Sequence, residues 1–235
     1  MDTQGKITRA TIIGCGLTGM AAALFAAQRE IPSVVLGSTA ASSMSSGLLD
    51  LLGILPGEPP RVCTQPWEDL EHLAQVAPGH PYTLIPAKDI CRSIDLVVAE
   101  LARQGLDYVG QENTNLMAVG PLGTLKPTYR LPASMWAGIS ERATKAPGLI
   151  VDFHGLKDFS ARMVASNLQP VWPGLRTARL TFPDSESKSE LFTALLAQAL
   201  DSPREREHLA HTLKEVIDDA RVVGIPAILG MGAAQ

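Results

Sequence analysis

A glycine-rich turn near the N-terminus constrains the fold of this chain more than any other feature. The turn reads GCGLTG over residues 14–19, a Gly-x-Gly-x-x-Gly pattern, and it follows a segment rich in β-branched residues at 7–13. An alanine-rich segment at 18–30 and a second apolar segment at 31–36 come after it. This order of patterns predicts a strand, a helix and a second strand, which together begin a βαβ unit.

Each glycine of the turn has a physical role in a dinucleotide site. Gly14 permits a sharp turn, Gly16 lets a pyrophosphate approach the backbone, and Gly19 lets the helix lie close to the strand. The free amides and the dipole at the helix N-terminus attract the phosphate charge. The residues predicted to bind a nucleotide phosphate are therefore Gly14, Gly16, Leu17, Thr18 and Gly19. The alternative is that the glycines serve tight packing alone.

The position after the second predicted strand bears on the kind of nucleotide. An acidic residue there usually accepts a hydrogen bond from the ribose 2′-OH, but this chain has Gly37. An ordinary adenosine site is therefore disfavoured, and NADP is disfavoured too because no arginine lies there. Ser38 or Thr39 could bind the ribose instead, or could form only a solvated turn.

The composition excludes several other classes of protein. The chain has 235 residues, of which 46% are hydrophobic, enough for one large or two small domains. With a net charge of −4, nothing in the overall balance of charge suggests a nucleic-acid partner, which would need a basic face. Three scattered cysteines without a Cys-x-x-Cys pair argue against a disulfide framework and against a cysteine-based zinc or iron–sulfur site, and they favour a reducing cytoplasm. The uncharged segment at 10–27 is interrupted by the glycines of the turn, so we do not interpret it as a signal peptide or a membrane span.

The remaining patterns divide the chain into two α/β parts. Two helices are predicted at 66–76 and 87–103, followed by a β-hairpin or a β-meander within 106–129. From 149 the pattern restarts as strand, helix, strand, two helices and strand, the last at 222–229. We therefore predict a Rossmann-like nucleotide-binding βαβ domain at 1–148 and a second α/β domain at 149–235. The second domain is expected to be incomplete, because the chain stops soon after its last strand.

Three further strings carry a resemblance to a known family. They are SSGLLDLLG at 45–53, GPLGTLKPTYRLP at 120–132 and LIVDFHGLKDF at 149–159, in this order after the glycine turn. Together they resemble the B subunit of the anaerobic glycerol-3-phosphate dehydrogenases. The resemblance covers most of this chain but only the N-terminal part of that family, whose members are longer.

The resemblance implies a flavoprotein that uses FMN and works with a catalytic A subunit. Together they would oxidise sn-glycerol 3-phosphate to dihydroxyacetone phosphate, and a membrane-anchored iron–sulfur C subunit would pass the electrons to quinone in anaerobic respiration. The chain would then be cytoplasmic and peripheral on the inner face of the cell membrane. Gly14, Gly16 and Gly19 would hold the flavin phosphate. The residues lining the flavin side would be Ser45, Ser46 and Gly47.

The cofactor and the function keep alternatives at this point. FMN has no adenosine ribose and so agrees with Gly37, while FAD is the alternative flavin. The hydroxyls of the serine-rich segment at 42–46 could donate to phosphate and ribityl oxygens, although the composition also fits a plain loop. Two other functions remain as alternatives. The chain could be an NAD-dependent dehydrogenase, or it could be a non-catalytic assembly subunit that has lost its cofactor.

A few charged residues outside the turn are candidates for substrate binding or catalysis. Lys126 and Arg130 flank the hairpin string and could bind a substrate phosphate, or they could be ordinary surface cations. His208 and His211 follow a run of alternating charge at 204–207, which favours a solvated helix face over a metal site. Histidines at 80 and 154 could act as bases, but nothing in the sequence selects one, and no catalytic residue is assigned.

Overall fold

A computed structural model describes residues 9–38, 45–185 and 187–228 of the chain. The chain forms two compact units, Met1–Leu48 and Leu49–Gln235, which we call unit 1 and unit 2. This division differs from the boundary predicted after residue 148. None of the helices within the described ranges is long and apolar enough to cross a membrane.

Unit 1 is a strand–helix–strand motif. Strand β1 (Ala10–Ile13) leads through the glycine turn into helix α1 (Leu17–Gln28), and strand β2 (Ser33–Leu36) follows. The two strands pair in parallel, from Ala10 opposite Ser33 to Ile13 opposite Leu36. The predicted Rossmann-like βαβ arrangement is therefore confirmed, and the carboxyl ends of both strands lie at the same edge.

The first part of unit 2 surrounds a small apolar core. Strands β3 (Ile54–Leu55) and β4 (Arg61–Val62) pair antiparallel and precede helices α2 (Pro66–Val76) and α3 (Ala87–Arg103). Asn115 is buried beside this core, and its side-chain amide donates to the carbonyls of Leu52 and Cys63, both at 2.8 Å. Asn115 thereby joins two loops that are distant from it in sequence. The buried residues of the core are Leu52, Leu55, Cys63, Leu70 and Leu73.

Short antiparallel strands form the middle of unit 2. The predicted hairpin consists of β6 (Leu116–Val119) and β7 (Leu125–Thr128). Strand β5 (Tyr108–Val109), which precedes the hairpin in the chain, pairs antiparallel with β8 (Leu131–Pro132), which follows it. Helix α4 (Trp136–Ala143) follows. The sequence did not predict α4, because frequent proline and glycine between 121 and 148 disguise this short helix as a loop.

A parallel sheet forms the last part of unit 2. Its strands are β9 (Gly148–Phe153), β10 (Leu175–Leu180) and β11 (Val222–Gly224), in the spatial order β10-β9-β11. Helix α5 (Ala161–Leu168) connects β9 to β10, and helices α6 (Thr193–Ala199) and α7 (Pro203–Ile217) connect β10 to β11. The central strand β9 is buried along its whole length, as is usual where helices cover both faces.

The side chains of β9 alternate between two apolar layers. Leu149, Val151 and Phe153 pack against the layer formed by α6 and α7. Ile150 points to the opposite face, where it joins residues of α5 and of the β6–β7 hairpin. Trp172 lies in this second layer and its indole N–H donates to the Ala146 carbonyl at 2.7 Å. Residues on both sides of position 148 thus share one core, which is why the compact units do not divide there. The assignment of 149–235 as a domain of its own stays a prediction.

Asp152 is a buried carboxylate within this sheet. Only 2% of its surface is exposed, and Arg179 on the neighbouring strand donates to its two oxygens at 2.8 and 2.7 Å. The amide of Ala161, at the start of α5, donates to it at 3.0 Å. Burial by itself raises the pKa of Asp152, but the hydrogen bonds from Arg179 and Ala161 and the charges of Arg179 and Arg162 outweigh it, so the pKa lies below its ordinary value.

Candidate nucleotide-binding site

The glycine turn of unit 1 joins β1 to α1 by a conformation that favours glycine. Gly14 has a φ of +112°, which L-amino acids with a side chain rarely adopt. Its amide donates to the Leu36 carbonyl at 2.7 Å and so extends the pairing of the two strands. The chain leaves the sheet immediately afterwards, and Gly16 in an extended conformation precedes the first helical residue.

Gly19 allows the helix to lie against the turn. A Cβ atom at position 19 would lie 1.9 Å from the carbonyl oxygen of Gly14, far inside van der Waals contact. The obstacle is backbone, which has no side chain to rotate away. The close approach predicted for the third glycine of the motif is therefore present.

The N-terminus of α1 leaves several amides without an acceptor. Met20 makes the first helical bond, donating to the Gly16 carbonyl at 3.0 Å. Within the described ranges, no backbone or side-chain oxygen accepts from the amides of Gly16, Leu17, Thr18 or Gly19. The first turn has no acidic residue, and Leu17 and Thr18 are exposed. The turn is therefore neither capped nor blocked, and its residues fit the phosphate of a nucleotide.

Gly37 packs against the turn, which the sequence did not indicate. A Cβ atom at position 37 would lie 3.0 Å from the Cys15 amide nitrogen and 3.2 Å from its sulfur atom, and the residue has a φ of +153°. Glycine is therefore required here by packing and backbone conformation. Because packing accounts for Gly37, the lack of an acidic residue at this position does not show whether a ribose binds. Gly37 therefore no longer favours FMN over FAD.

The serines predicted to line the cofactor form local turns. The Ser45 hydroxyl accepts from the Gly47 amide at 3.3 Å, and the Ser46 hydroxyl accepts from the Leu48 amide at 3.4 Å. Both side chains are exposed, and each hydroxyl keeps its own O–H as a donor. Ser38 is exposed directly after Gly37, whereas Thr39 lies outside the described residues. The roles of all these residues toward a cofactor stay predictions.

Lys126 and Arg130, the candidate substrate residues, both have partners within unit 2. The Lys126 ammonium lies 2.5 Å from a carboxylate oxygen of Asp50. The Arg130 guanidinium stacks 3.9 Å above the Tyr129 ring and donates to the carbonyls of Tyr129 and Gln111, at 2.9 and 3.2 Å. A phosphate that bound Lys126 would have to compete with Asp50.

The histidines considered from the sequence do not come together. His208 and His211 are exposed on α7, and the described residues contain no group of three or more histidine, cysteine or acidic side chains arranged to hold a metal. The His80 ring accepts from the Tyr82 amide at 3.2 Å. His154 follows β9 and lines a shallow cavity at the edge of the parallel sheet.

The fold and the glycine turn define a nucleotide-binding protein, and comparison with known families identifies its class. Residues 10–235 match the FAD binding domain family, so the chain belongs to that family. The match supports FAD, the alternative flavin expected from the sequence, and it does not support FMN as the first choice.

Similar proteins from several bacteria carry one name, and they confirm the resemblance seen in the sequence. The B subunit of the anaerobic glycerol-3-phosphate dehydrogenase of Pectobacterium atrosepticum is 30% identical over 230 residues, covering 95% of this chain and 54% of its own length. The protein of the same name in Yersinia pseudotuberculosis is 33% identical over 229 residues, covering 94% of this chain and 53% of its own length. The protein of the same name in Vibrio vulnificus is 29% identical over 232 residues, covering 94% of this chain and 52% of its own length. The chain spans about half the length of these relatives. No solved structure matches the chain.

Proposed function

We propose that this chain is part of a flavoprotein subunit of a quinone-linked glycerol-3-phosphate dehydrogenase. The reaction would be the oxidation of sn-glycerol 3-phosphate to dihydroxyacetone phosphate. The partners would be a catalytic A subunit and an iron–sulfur C subunit anchored in the membrane. The chain would then lie in the cytoplasm at the inner face of the cell membrane. The proposal is supported by the names of the relatives and by the family match.

One structural observation carries the flavin part of the proposal. The amides of Gly16, Leu17, Thr18 and Gly19 have no acceptor among the described residues, and they stand at the positive end of a helix. Such amides stabilise a phosphate without introducing a full charge near the reacting ring. Bound FAD would supply the two-electron acceptor, and the chain would supply its binding and electrostatic environment.

The other residues predicted from the sequence have proposed roles as well. Ser38 or Thr39 would bind the ribose of FAD, and Ser45, Ser46 and Gly47 would line the flavin. Lys126 and Arg130 would bind the phosphate of the substrate.

The purified chain tests the proposal directly. We expect it to bind added FAD, with flavin absorption bands that remain after gel filtration and with a raised melting temperature. Stabilisation by NAD alone would point to the nicotinamide-dependent dehydrogenase instead. A chain that responds to neither nucleotide would be the non-catalytic assembly subunit, and the flavin proposal would be abandoned.

Substitution of Thr18 separates binding from folding. Thr18→Asp places a negative charge in the first turn of α1, which should stabilise the helix by about 0.3–1 kcal/mol. The same charge repels a phosphate at the helix N-terminus, so we expect FAD affinity to fall on the order of 10- to 100-fold. Titration calorimetry and thermal melts measure the two effects. Thr18→Asn has a similar size without the charge and should bind nearly normally. Equal FAD affinity in the Asp and Asn variants would contradict the phosphate site.

The ion pair between Lys126 and Asp50 tests the proposed substrate site. If Lys126 binds the substrate phosphate, Asp50→Asn removes its competitor and should raise the affinity for sn-glycerol 3-phosphate by about 3- to 10-fold. Lys126→Gln should lower it by at least as much. Both substitutions are at exposed positions and should change stability by less than about 0.5 kcal/mol. The measurement is the KM of the full-length enzyme with its partner subunits. Unchanged KM values in both variants would exclude Lys126 from the site.

A further inference from the structure

The three strings that carry the family resemblance meet at the β6–β7 hairpin of unit 2. Leu49 of the first string pairs with Arg130 of the second, and its amide donates to the Arg130 carbonyl at 2.9 Å. Leu125 of the second string packs against the apolar cluster that contains Ile150 of the third. Residues that are distant in sequence thus combine around the hairpin that carries Lys126.

The tip of this hairpin, residues 120–124, packs on helix α5. We propose that Gly123, in the tip, and Asn167, on α5, are positioning residues that hold Lys126 in place through this contact. The inference rests on the proposed function where it concerns the substrate, because only there is Lys126 assigned to the substrate phosphate. The position of Lys126 itself can be measured without a substrate.

Gly123 lets the backbone of the tip touch the backbone of α5. It has a φ of +76°, which favours glycine. A Cβ atom at position 123 would lie 2.5 Å from the Val164 carbonyl oxygen and 2.8 Å from the Val164 Cα. Both obstacles belong to the backbone of a helix, so neither can rotate away. A side chain at position 123 would therefore push the tip away from α5.

Asn167 adds a hydrogen bond to the same contact. Its side-chain amide, on the last turn of α5, donates to the Leu122 carbonyl at 2.7 Å. Two hydrogen bonds close the tip on itself: the Gly120 amide donates to the Thr124 carbonyl at 2.8 Å, and the Gly123 amide donates to the Gly120 carbonyl at 2.9 Å. The tip is therefore a closed turn, and a displacement of it passes to β7, which begins directly after it.

The alternation of side chains along β7 converts this contact into a direction for Lys126. Leu125 packs in the apolar layer that includes residues of α5, so Lys126, the next residue, points to the opposite face of the strand. There its ammonium lies 2.5 Å from a carboxylate oxygen of Asp50. Because Lys126 is only three positions from Gly123, movement of the tip should move the ammonium relative to Asp50.

The rest of the hairpin has supports of its own. The Arg142 guanidinium, on α4, donates to the Met117 carbonyl on β6 at 3.0 Å. Ala118, which lies opposite Lys126 on the neighbouring strand, has only 1% of its surface exposed. Release of the tip should therefore displace the start of β7 without unfolding the hairpin, so substitutions at the tip test position rather than folding.

Two substitutions release the tip in different ways, and we call them the tip variants. Gly123→Ala places a methyl group against the backbone of α5, and Asn167→Asp replaces the NH2 donor by a carboxylate oxygen. Gly105→Ala is the matched control for the first, since Gly105 has a φ of +80° but a Cβ atom there meets nothing within 4 Å. Ser166→Asp is the matched control for the second, because Ser166 is exposed on α5 beside Asn167.

The nitrogen resonance of the Lys126 ammonium, in the isotope-labelled chain, reports its position without a substrate. Asp50→Asn removes the ion pair and should shift this resonance in the otherwise unaltered chain. We expect the shift caused by Asp50→Asn to be smaller in both tip variants and unchanged in both controls. A shift of equal size in the tip variants and the controls would overturn the inference.

The KM of the full-length enzyme with its partner subunits measures the consequence for the substrate. The tip variants should raise the KM for sn-glycerol 3-phosphate by about 3- to 10-fold and leave kcat nearly unchanged, because only uniform binding is lost. In a Lys126→Gln background they should raise it no further. A further increase of the same size there would overturn the inference, since the tip would then act on something other than Lys126.

The two measurements also distinguish the inference from the proposed function. If Lys126→Gln left the KM unchanged while the tip variants still reduced the resonance shift, Lys126 would be excluded from the substrate site and its positioning by the tip would stand. If Lys126→Gln raised the KM and the tip variants changed neither KM nor the resonance shift, the substrate site would stand and the positioning role would be abandoned.

Discussion

Gly19→Ala is expected to abolish useful flavin binding by this chain. The added methyl group would lie 1.9 Å from the Gly14 carbonyl oxygen, so either the turn or the helix has to move. Overpacking of this kind costs about 1–3 kcal/mol or more, and the displacement also misaligns the amides that hold the phosphate. We expect FAD affinity to fall by about 100-fold, measured by fluorescence titration, and unit 1 to lose stability.

Gly138→Ala is the matched control for that substitution. Like Gly19, Gly138 is the third residue of a helix, but a Cβ atom there meets nothing within 4 Å. Alanine should stabilise α4 by about 0.5–1 kcal/mol and leave FAD binding unchanged. If Gly19→Ala retained the FAD affinity of the unaltered chain, the turn would not be the phosphate site. If the Gly19 variant is soluble, unfolds cooperatively on heating and does not bind FAD, then the substitution has removed the site without removing the fold.

Asp152→Asn is expected to give the largest loss of stability in unit 2. Asparagine keeps one acceptor oxygen, but its NH2 group would face an N–H donor of Arg179, so one hydrogen bond and the charge of the carboxylate are lost from a buried position. Breaking a buried ion pair costs about 3–5 kcal/mol, but Arg179 is 46% exposed and can be hydrated, so we expect about 2–3 kcal/mol. Urea unfolding measures it. Asp219→Asn, which removes one of the two exposed carboxylates that pair with Arg176, should cost less than about 0.5 kcal/mol.

The same carboxylate predicts the direction of the pH dependence. The pKa of Asp152 is lower in the folded chain than its ordinary value, so its ionised form is bound more favourably by the fold. This stabilisation is complete above the unfolded pKa of about 3.9 and is lost as the pH falls through the depressed folded pKa. The unaltered chain should therefore lose more stability than the Asp152→Asn chain between neutral and strongly acidic pH. Parallel acid unfolding curves would exclude Asp152 as a source of acid sensitivity.

The sequence predicted the parts of the fold that depend on local patterns. The glycine turn, its flanking strands and helix α3 are each encoded by residues that are neighbours in the chain, so periodicity and glycine spacing are sufficient to find them. The same holds for the hairpin, whose turn residues Pro121 and Gly123 are adjacent to both strands.

The rest required contacts between distant residues. The role of Gly37 depends on its distance from Cys15, twenty-two positions earlier by their residue numbers. The pairing of Asp152 with Arg179 depends on the register of two strands, which the sequence does not specify.

The distribution of aromatic residues has a practical consequence for every one of these measurements. All three tryptophans, including the buried and hydrogen-bonded Trp172, lie in unit 2, while residues 1–48 contain neither tryptophan nor tyrosine. Indole emission therefore monitors one unit only. A change in tryptophan emission caused by a substitution at residue 18 or 19 would then show that a disturbance of the glycine turn in unit 1 reaches the surroundings of a tryptophan in unit 2.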